Sequence, residues 1–205
     1  MKILEMGGGH NPFPFDEKRH LVIRIDWNPA GAATVCDLNK FPYPFKDNAF
    51  DVIYSSHCIE HLENKFKVFW EIYRLLKNKG IAVIRVPHIT SQDAWNFDHF
   101  NVWKLGSMHC FVHSDWYGAS TFPKFELISK RLHWRNVDSI RLFDNSAEEF
   151  CAPETVRKGR GKYRFYHKLI NFLINRHQYF AEMFLYYWLF GIKEIEYCIK
   201  AIKDA

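Results

Sequence analysis

The sequence predicts an α/β fold, an open and mostly parallel sheet with its ligand site at the carboxyl ends of the strands. Three observations carry this. An apolar run, Lys2-Ile-Leu-Glu-Met6, is followed by three glycines, Gly7, Gly8 and Gly9. A second run, Val22-Ile-Arg-Ile-Asp26, ends in a carboxylate 17 positions after Gly9. Two further short apolar runs follow, and each of the four ends near Gly, Asp or Ser, as buried parallel strands do. Glycines let backbone approach a ligand closely, and a carboxylate on the next strand can accept both hydroxyls of a ribose.

The first four strands are expected at Lys2–Met6, Leu21–Ile25, Ala33–Cys36 and Phe50–Ser55. Leu21 stands only 13 positions after Gly8, with Pro12 and Pro14 between them. Asp26 and Ala33 are closer still, with Pro29 and Gly31 between them. A crossover helix of about 10–12 residues does not fit easily in either gap, so the first two helices are expected to be truncated. Ile59 to Leu76 has apolar residues near helical spacing and stops at Asn78-Lys-Gly80, a C-terminal cap signal. Ile81–Val86 reads as a fifth strand, ended by Pro87.

From His88 to Pro123 no clean period is visible. Trp95, His99, Trp103, His109, His113 and Trp116 fall among many Phe and Asn, as in an irregular or short-helical insertion. Phe125–Trp134 alternates like a sixth strand. The basic stretch Arg157–Lys162 reads as a loop, and Tyr166–Phe190 as a long aromatic-rich helix. Glu194–Lys203 suits either a strand or a helix, and a strand after Gly191 is favoured.

Composition bounds the rest. A chain of 205 residues can bury one full core. A net charge of +5 is a mild excess that does not require nucleic acid. Cys36, Cys58, Cys110, Cys151 and Cys198 are odd in number and widely spaced, which argues for free thiols in a reducing compartment and a cytoplasmic protein. The first strand begins at residue 2, so no signal peptide is expected. The longest apolar segment, Met183–Ile192, has ten residues, about half of the ~20 needed to span a bilayer.

Taken alone, three glycines can make a tight turn and nothing more. Three further strand ends fit one ligand: Asp26 for a ribose diol, Asp37-Leu38 for an adenine, and Ser55-Ser56-His57 beside the glycine loop. Each acidic residue could separately be a turn former. A dinucleotide is disfavoured, because Pro12 takes the place of the third glycine in Gly-x-Gly-x-x-Gly.

The segments Leu4-Glu-Met-Gly-Gly-Gly-His-Asn-Pro12, Ile25-Asp26, Cys36-Asp-Leu38 and Phe41 to His57 form a pattern with Ile59-Glu-His-Leu62, Glu71 to Lys77, Gly80 and Ile84 to His88. On these residues the chain resembles class I S-adenosylmethionine-dependent methyltransferases, nearest their type-11-like small-molecule group. The resemblance covers roughly the first 90 residues and implies a Rossmann-like sheet with an antiparallel last strand. Phe97-Asp-His-Phe100 resembles an Asp-Pro-x-His segment of some of these proteins but lacks the proline. Gly8 also departs from the pattern, since Cys often stands there.

The resemblance implies S-adenosylmethionine as cofactor. Gly7, Gly8 and Gly9 would face its amino-acid part, with Glu5 near the ammonium. Asp26, with Trp27 beside it, would hold the ribose, Asp37 and Leu38 the adenine, and Ser55 and Ser56 would close the site. It also implies one domain over 1–205: a cofactor-binding core (1–87), an insertion shaping the acceptor site (88–125), then C-terminal strands and the aromatic helix (126–205). Methyl transfer needs an acceptor placed in line and a base where the acceptor is a hydroxyl. His99, His88 and His57 are the candidate bases, since histidine titrates nearest neutral pH. Each can equally be a structural histidine.

The expected acceptor is a small molecule, an oxygen of a sugar or a lipid-linked glycan intermediate. A non-catalytic cofactor-binding partner subunit is the alternative. A nucleic-acid methyltransferase is a third reading, disfavoured because Ser55-Ser-His-Cys58 stands where Asn-Pro-Pro-Tyr or Asp-Pro-Pro-Tyr would. His57-Cys-x-x-His61 and His109-Cys-x-x-His113 together have the form of a zinc site, but the first already fits the methyltransferase pattern, so no metal is expected. Residues 157–190 are basic and aromatic, which allows contact with an anionic membrane surface.

Overall fold

The computed structural model describes residues 1–9, 12–29, 34–113, 122–133, 163–182 and 192–203. Five strands run parallel: β1 (Lys2–Met6), β2 (Leu21–Asp26), β3 (Thr34–Val35), β4 (Phe50–Ser56) and β5 (Leu76–Pro87). β6 (Phe125–His133) and β7 (Glu194–Ala201) complete one sheet in the order β3-β2-β1-β4-β5-β7-β6. β7 is antiparallel to both of its neighbours. The closing segment is thus a strand, and its residues from Glu194 to Ile199 are all buried. Ala33 and Trp134, expected at strand ends, lie outside the described residues, as do Arg157–Lys162.

The two-residue period of the strands sorts side chains onto two faces. Leu4, Ile53, Ile84 and Ile199 pack into the larger core. Ile3, Val52, Val83 and Cys198 point the other way, into a smaller one. No described residue between β1 and β2, or between β2 and β3, is helical. Phe13 and Phe15 fill the place a first helix would take. Their rings lie 4.9 and 5.6 Å from that of Tyr54 and 4.6 Å from each other.

The expected helix from Ile59 to Leu76 is broken. A 3-10 turn, η1 (Ile59–His61), precedes α1 (Lys65–Leu75). Loops take up the backbone groups at the break: Asn101 Nδ2 donates to the Leu62 carbonyl at 2.9 Å, and Glu63 N–H donates to Asn39 Oδ1 at 3.0 Å. Asn64 Oδ1 then accepts from Lys67 N–H at 3.1 Å and starts α1 afresh. At the other end, Asn78-Lys-Gly80 does not cap a helix. It bulges from β5, where the pairing with β4 jumps from Phe50–Leu76 to Val52–Ile81.

The segment after Pro87 is irregular, with a second 3-10 turn, η2 (Gln92–Trp95), and a single helical turn, α2 (His109–Val112). Much of its aromatic content is core. Trp103, Leu105, Met108 and Phe111 are buried, and Phe111 stacks on Phe69 of α1 at 4.3 Å. The aromatic helix α3 (Tyr163–Arg176) begins three residues before its expected start at Tyr166, and 183–190 lie outside the described residues. Asn175 ties it to β6 by accepting from Leu132 N–H at 2.8 Å and donating to the Leu132 carbonyl at 2.9 Å. No helix among the described residues is long and apolar enough to cross a membrane.

Candidate active site

A cleft of about 660 Å³ opens at the carboxyl ends of β1, β2 and β4. One half is lined by Gly7, Asp26, Trp27, Asp37, Leu38 and Asn39, the other by His57, Cys58, His61, Leu62, Asp98 and Phe100. Its size and mixed lining suit a small molecule.

Backbone geometry builds the first half. Gly7 has φ +74°, and a Cβ there would stand 2.5 Å from Cys58 Cβ, so only glycine fits. Gly9, at φ +42°, donates its N–H to Asp26 Oδ2 at 2.9 Å. Asp26 Oδ1 accepts from Asn28 N–H at 2.8 Å. The carboxylate therefore staples two loops, and its remaining lone pairs face the cleft. Leu38 is buried beside Asp37, and the Leu38 carbonyl accepts from Tyr43 Oη at 2.9 Å. Trp27 stands exposed at the rim.

Side chains on irregular backbone build the second half. His57 follows β4 in the left-handed region, at φ +48°. Its N–H donates to the Arg85 carbonyl at 3.0 Å, and its ring turns down between two acids. Nε2 lies 3.2 Å from Glu194 Oε2, and Nδ1 lies 3.5 Å from Glu60 Oε1. Burial pulls the His57 pKa down, but the bond to Glu194 and the charges of Glu194 and Glu60 outweigh it and raise it to about 10. Burial pushes Glu194 up, yet His57, His133 and Arg85 hold it below the usual carboxylate range. Deeper still, Arg85 Nε donates to Glu196 Oε2 at 2.8 Å and Nη1 to Tyr54 Oη at 3.0 Å. Glu60, Glu194 and Glu196 thus meet Arg85 and His57, three formal negative charges against two positive.

The structure brings Gly7, Asp26, Trp27, Asp37, Leu38 and His57 together around one cleft. Other sequence-predicted residues lie elsewhere. Glu5 is buried, bound to Arg24 Nε at 2.9 Å and to Phe13 N–H at 2.6 Å, so it stabilises the aromatic plug behind the loop. Gly8 sits over Glu5 and Arg24, and Ser55 is fully buried. Ser56, beside it, is not among the lining residues, while Gly9 acts through its bond to Asp26.

The structure places the three candidate bases in different surroundings. His88 is fully buried, with Nε2 bound to Glu182 at 2.8 Å and Nδ1 to Thr90 Oγ1 at 2.9 Å. It is a structural histidine tying β5 to the segment after α3. His57 is held as a cation, which cannot accept a proton. His99 stacks edge-on against His61 at 4.5 Å and does not line the cleft.

His61, Asp98 and Phe100 were missed as site residues. His61 Nδ1 lies 3.1 Å from Asp98 Oδ2. Glu60-His61 lay inside a segment read as plain helix, and Asp98 beside a histidine given the larger role. The position of Asp98, next to a histidine in an aperiodic stretch, was the available signal.

Comparisons agree with this geometry. Residues 6–84 match the family model described as a methyltransferase domain. The chain is 42% identical to ajmaline N-methyltransferase of Rauvolfia serpentina over 27% of its own length and 18% of that enzyme. The matched stretches span less than a fifth of the curated relatives. A SAM-dependent methyltransferase from Archaeoglobus fulgidus superposes with TM-score 0.54 at 17% identity, over 97% of this chain and 85% of that one. A Haemonchus contortus phosphoethanolamine N-methyltransferase 2, solved with S-adenosyl-L-methionine, gives TM-score 0.53 at 16% identity, over 99% of this chain and 49% of that one.

The seven-stranded sheet with its antiparallel β7 shares its fold with the SAM-dependent methyltransferase from Archaeoglobus fulgidus. Residues 6–84 carry the methyltransferase-domain pattern, and the Haemonchus contortus neighbour binds S-adenosyl-L-methionine. The residues present fit that group. A stapled carboxylate at a strand end, an apolar Leu38 beside Asp37 and an acidic lining match a ribose, an adenine and a cationic amino acid.

Proposed function

We propose that the protein transfers a methyl group from S-adenosylmethionine to the basic nitrogen of a small molecule. One observation carries this reading: the acidity of the second half of the cleft. Asp98 lines it beside His61, and the buried Glu60 and Glu194 flank His57 in its wall. An ammonium is favoured in such a field, and the exposed ring of Phe100 adds an aromatic face that attracts cations. The matching N-methyltransferase relative supports the same atom.

S-adenosylmethionine supplies an electrophilic methyl group when bound. The chain's own task is to hold and orient the partners. Asp26 and the glycine loop fix the donor half, and Asp98 and Phe100 hold the acceptor's cationic form at the mouth. The amine would lose its proton to solvent there, which frees its lone pair to take the methyl group, and the donor's bonding pair would stay on its sulfur.

A hydroxyl of a sugar or lipid-linked glycan, the acceptor expected from the sequence, needs a neutral base beside it. His88 is buried with both ring nitrogens engaged, and His57 carries a proton that Glu194 and Glu60 retain. The nitrogen reading is therefore preferred. Incubation with isotopically labelled donor and matched panels of small amines and sugars, read by mass spectrometry, tests it. Labelled amines are the expected products, and label in sugar hydroxyls alone overturns the choice of atom.

A further inference from the structure

Glu60, His61 and His99 each offer one ligand atom, and these atoms lie within 4.8 Å of one another. The cluster differs from the two His-Cys-x-x-His motifs. The first motif contributes only His61, and the second folds onto α2, where His109 and His113 stack at 4.8 Å.

Two of the three members carry buried side-chain atoms that lack hydrogen-bond partners. Glu60 is fully buried, and neither carboxylate oxygen has one. His57 Nδ1, at 3.5 Å, offers it charge but no hydrogen bond. His99 Nδ1 is also buried and unpartnered. Buried carboxylate oxygens are costly when nothing donates to them or coordinates them. The backbone holds the cluster in place. Phe100 N–H donates to the Glu60 carbonyl at 2.9 Å, and Asn101 Nδ2 to the Leu62 carbonyl at 2.9 Å. Asp98 engages His61 Nδ1 at 3.1 Å, which leaves Nε2 as the ligand nitrogen. A carboxylate behind a metal-binding imidazole orients it and raises its basicity.

We infer that Glu60, His61 and His99 form a binding site for a divalent transition cation of the zinc type, oriented by Asp98 and placed at the acceptor end of the cleft. Two imidazoles and a carboxylate are a donor set that zinc accepts at about 2.0–2.2 Å, and three protein ligands leave a fourth position open. His61 and Asp98 line the cleft, which places the cluster at its wall. The site does not depend on the acceptor atom or on methyl transfer.

The test is Zn²⁺ binding to the full chain after chelator treatment, by competition with a chromophoric chelator. One ion per chain is expected. Glu60→Gln, His61→Ala and His99→Ala are each expected to weaken it by about 100-fold or more, Asp98→Asn by roughly 10-fold, and His109→Ala not at all. X-ray absorption of the zinc-loaded wild type keeps the test informative if variants unfold, and nitrogen and oxygen ligands are expected. No stoichiometric binding, binding unchanged in all three ligand variants, or sulfur in the coordination shell each overturns the site. S-adenosylmethionine binding by the same chelated sample separates this result from the fate of the methyl-transfer reading.

Discussion

The two halves of the cleft are built by different means. In the donor half, glycines at positive φ and one stapled carboxylate shape the surface, and the groups involved lie close in sequence. In the acceptor half, shape comes from side chains that meet across the fold. His57 reaches Glu194, 137 residues away, and η1 is pinned by a loop some 40 residues on. Strand order and turn chemistry fix the first half. The second depends on balanced buried charge, whose loss is more damaging than its presence is stabilising.

That contrast ranks the expected effects. The largest should come from the charge layer. Arg85→Met leaves Glu196 without its cation and Glu194 with His57 alone, and a loss of about 3–5 kcal/mol in denaturant unfolding is expected. A change under 1 kcal/mol would show that the buried acids need no counter-ion. Gly7→Ala should follow, at about 2–4 kcal/mol, because the new Cβ meets Cys58 in a backbone conformation that resists it. Unfolding curves that coincide with the wild type would remove the steric account of the loop.

Asp26→Asn probes function with less damage. The amide oxygen can keep one of the two loop bonds, and the charged acceptor is gone. S-adenosylmethionine affinity should fall roughly 10- to 100-fold, measured by titration calorimetry.

The same charge layer also sets a pH dependence. The His57 pKa rises on folding from about 6.5 to about 10. Its contribution to stability is therefore full below about pH 6.5, declines as pH rises, and is gone above about pH 10. Thermal melts from pH 6 to 10 should show wild-type stability falling across that window and His57→Gln flattening the slope. Parallel slopes for the two proteins would contradict the ion-pair assignment.

Legibility in the sequence followed the same division. The glycine loop, the acidic strand ends and the seven strands were readable, because local periodicity and turn residues specify them, whereas the strand order was not. The short connections correctly argued against full helices, although nothing local announced that Phe13 and Phe15 would fill the gap. The break at Leu62–Asn64 was hidden, since the apolar spacing runs on through it while Asn39 and Asn101 take its backbone groups from a distance. The surroundings of the histidines were hidden for the same reason. Whether an imidazole is a base, a cation or a core member depends on partners such as Glu182 and Glu194, which no local pattern reveals.

One pair of variants tests the division into donor and acceptor halves most directly. S-adenosylmethionine Kd and acceptor KM are measured side by side for Asp26→Asn and Asp98→Asn. Asp26→Asn is expected to weaken donor binding, while Asp98→Asn leaves donor Kd unchanged and raises the KM of the amine acceptor. Donor binding weakened equally by both substitutions, or by neither, would contradict the account.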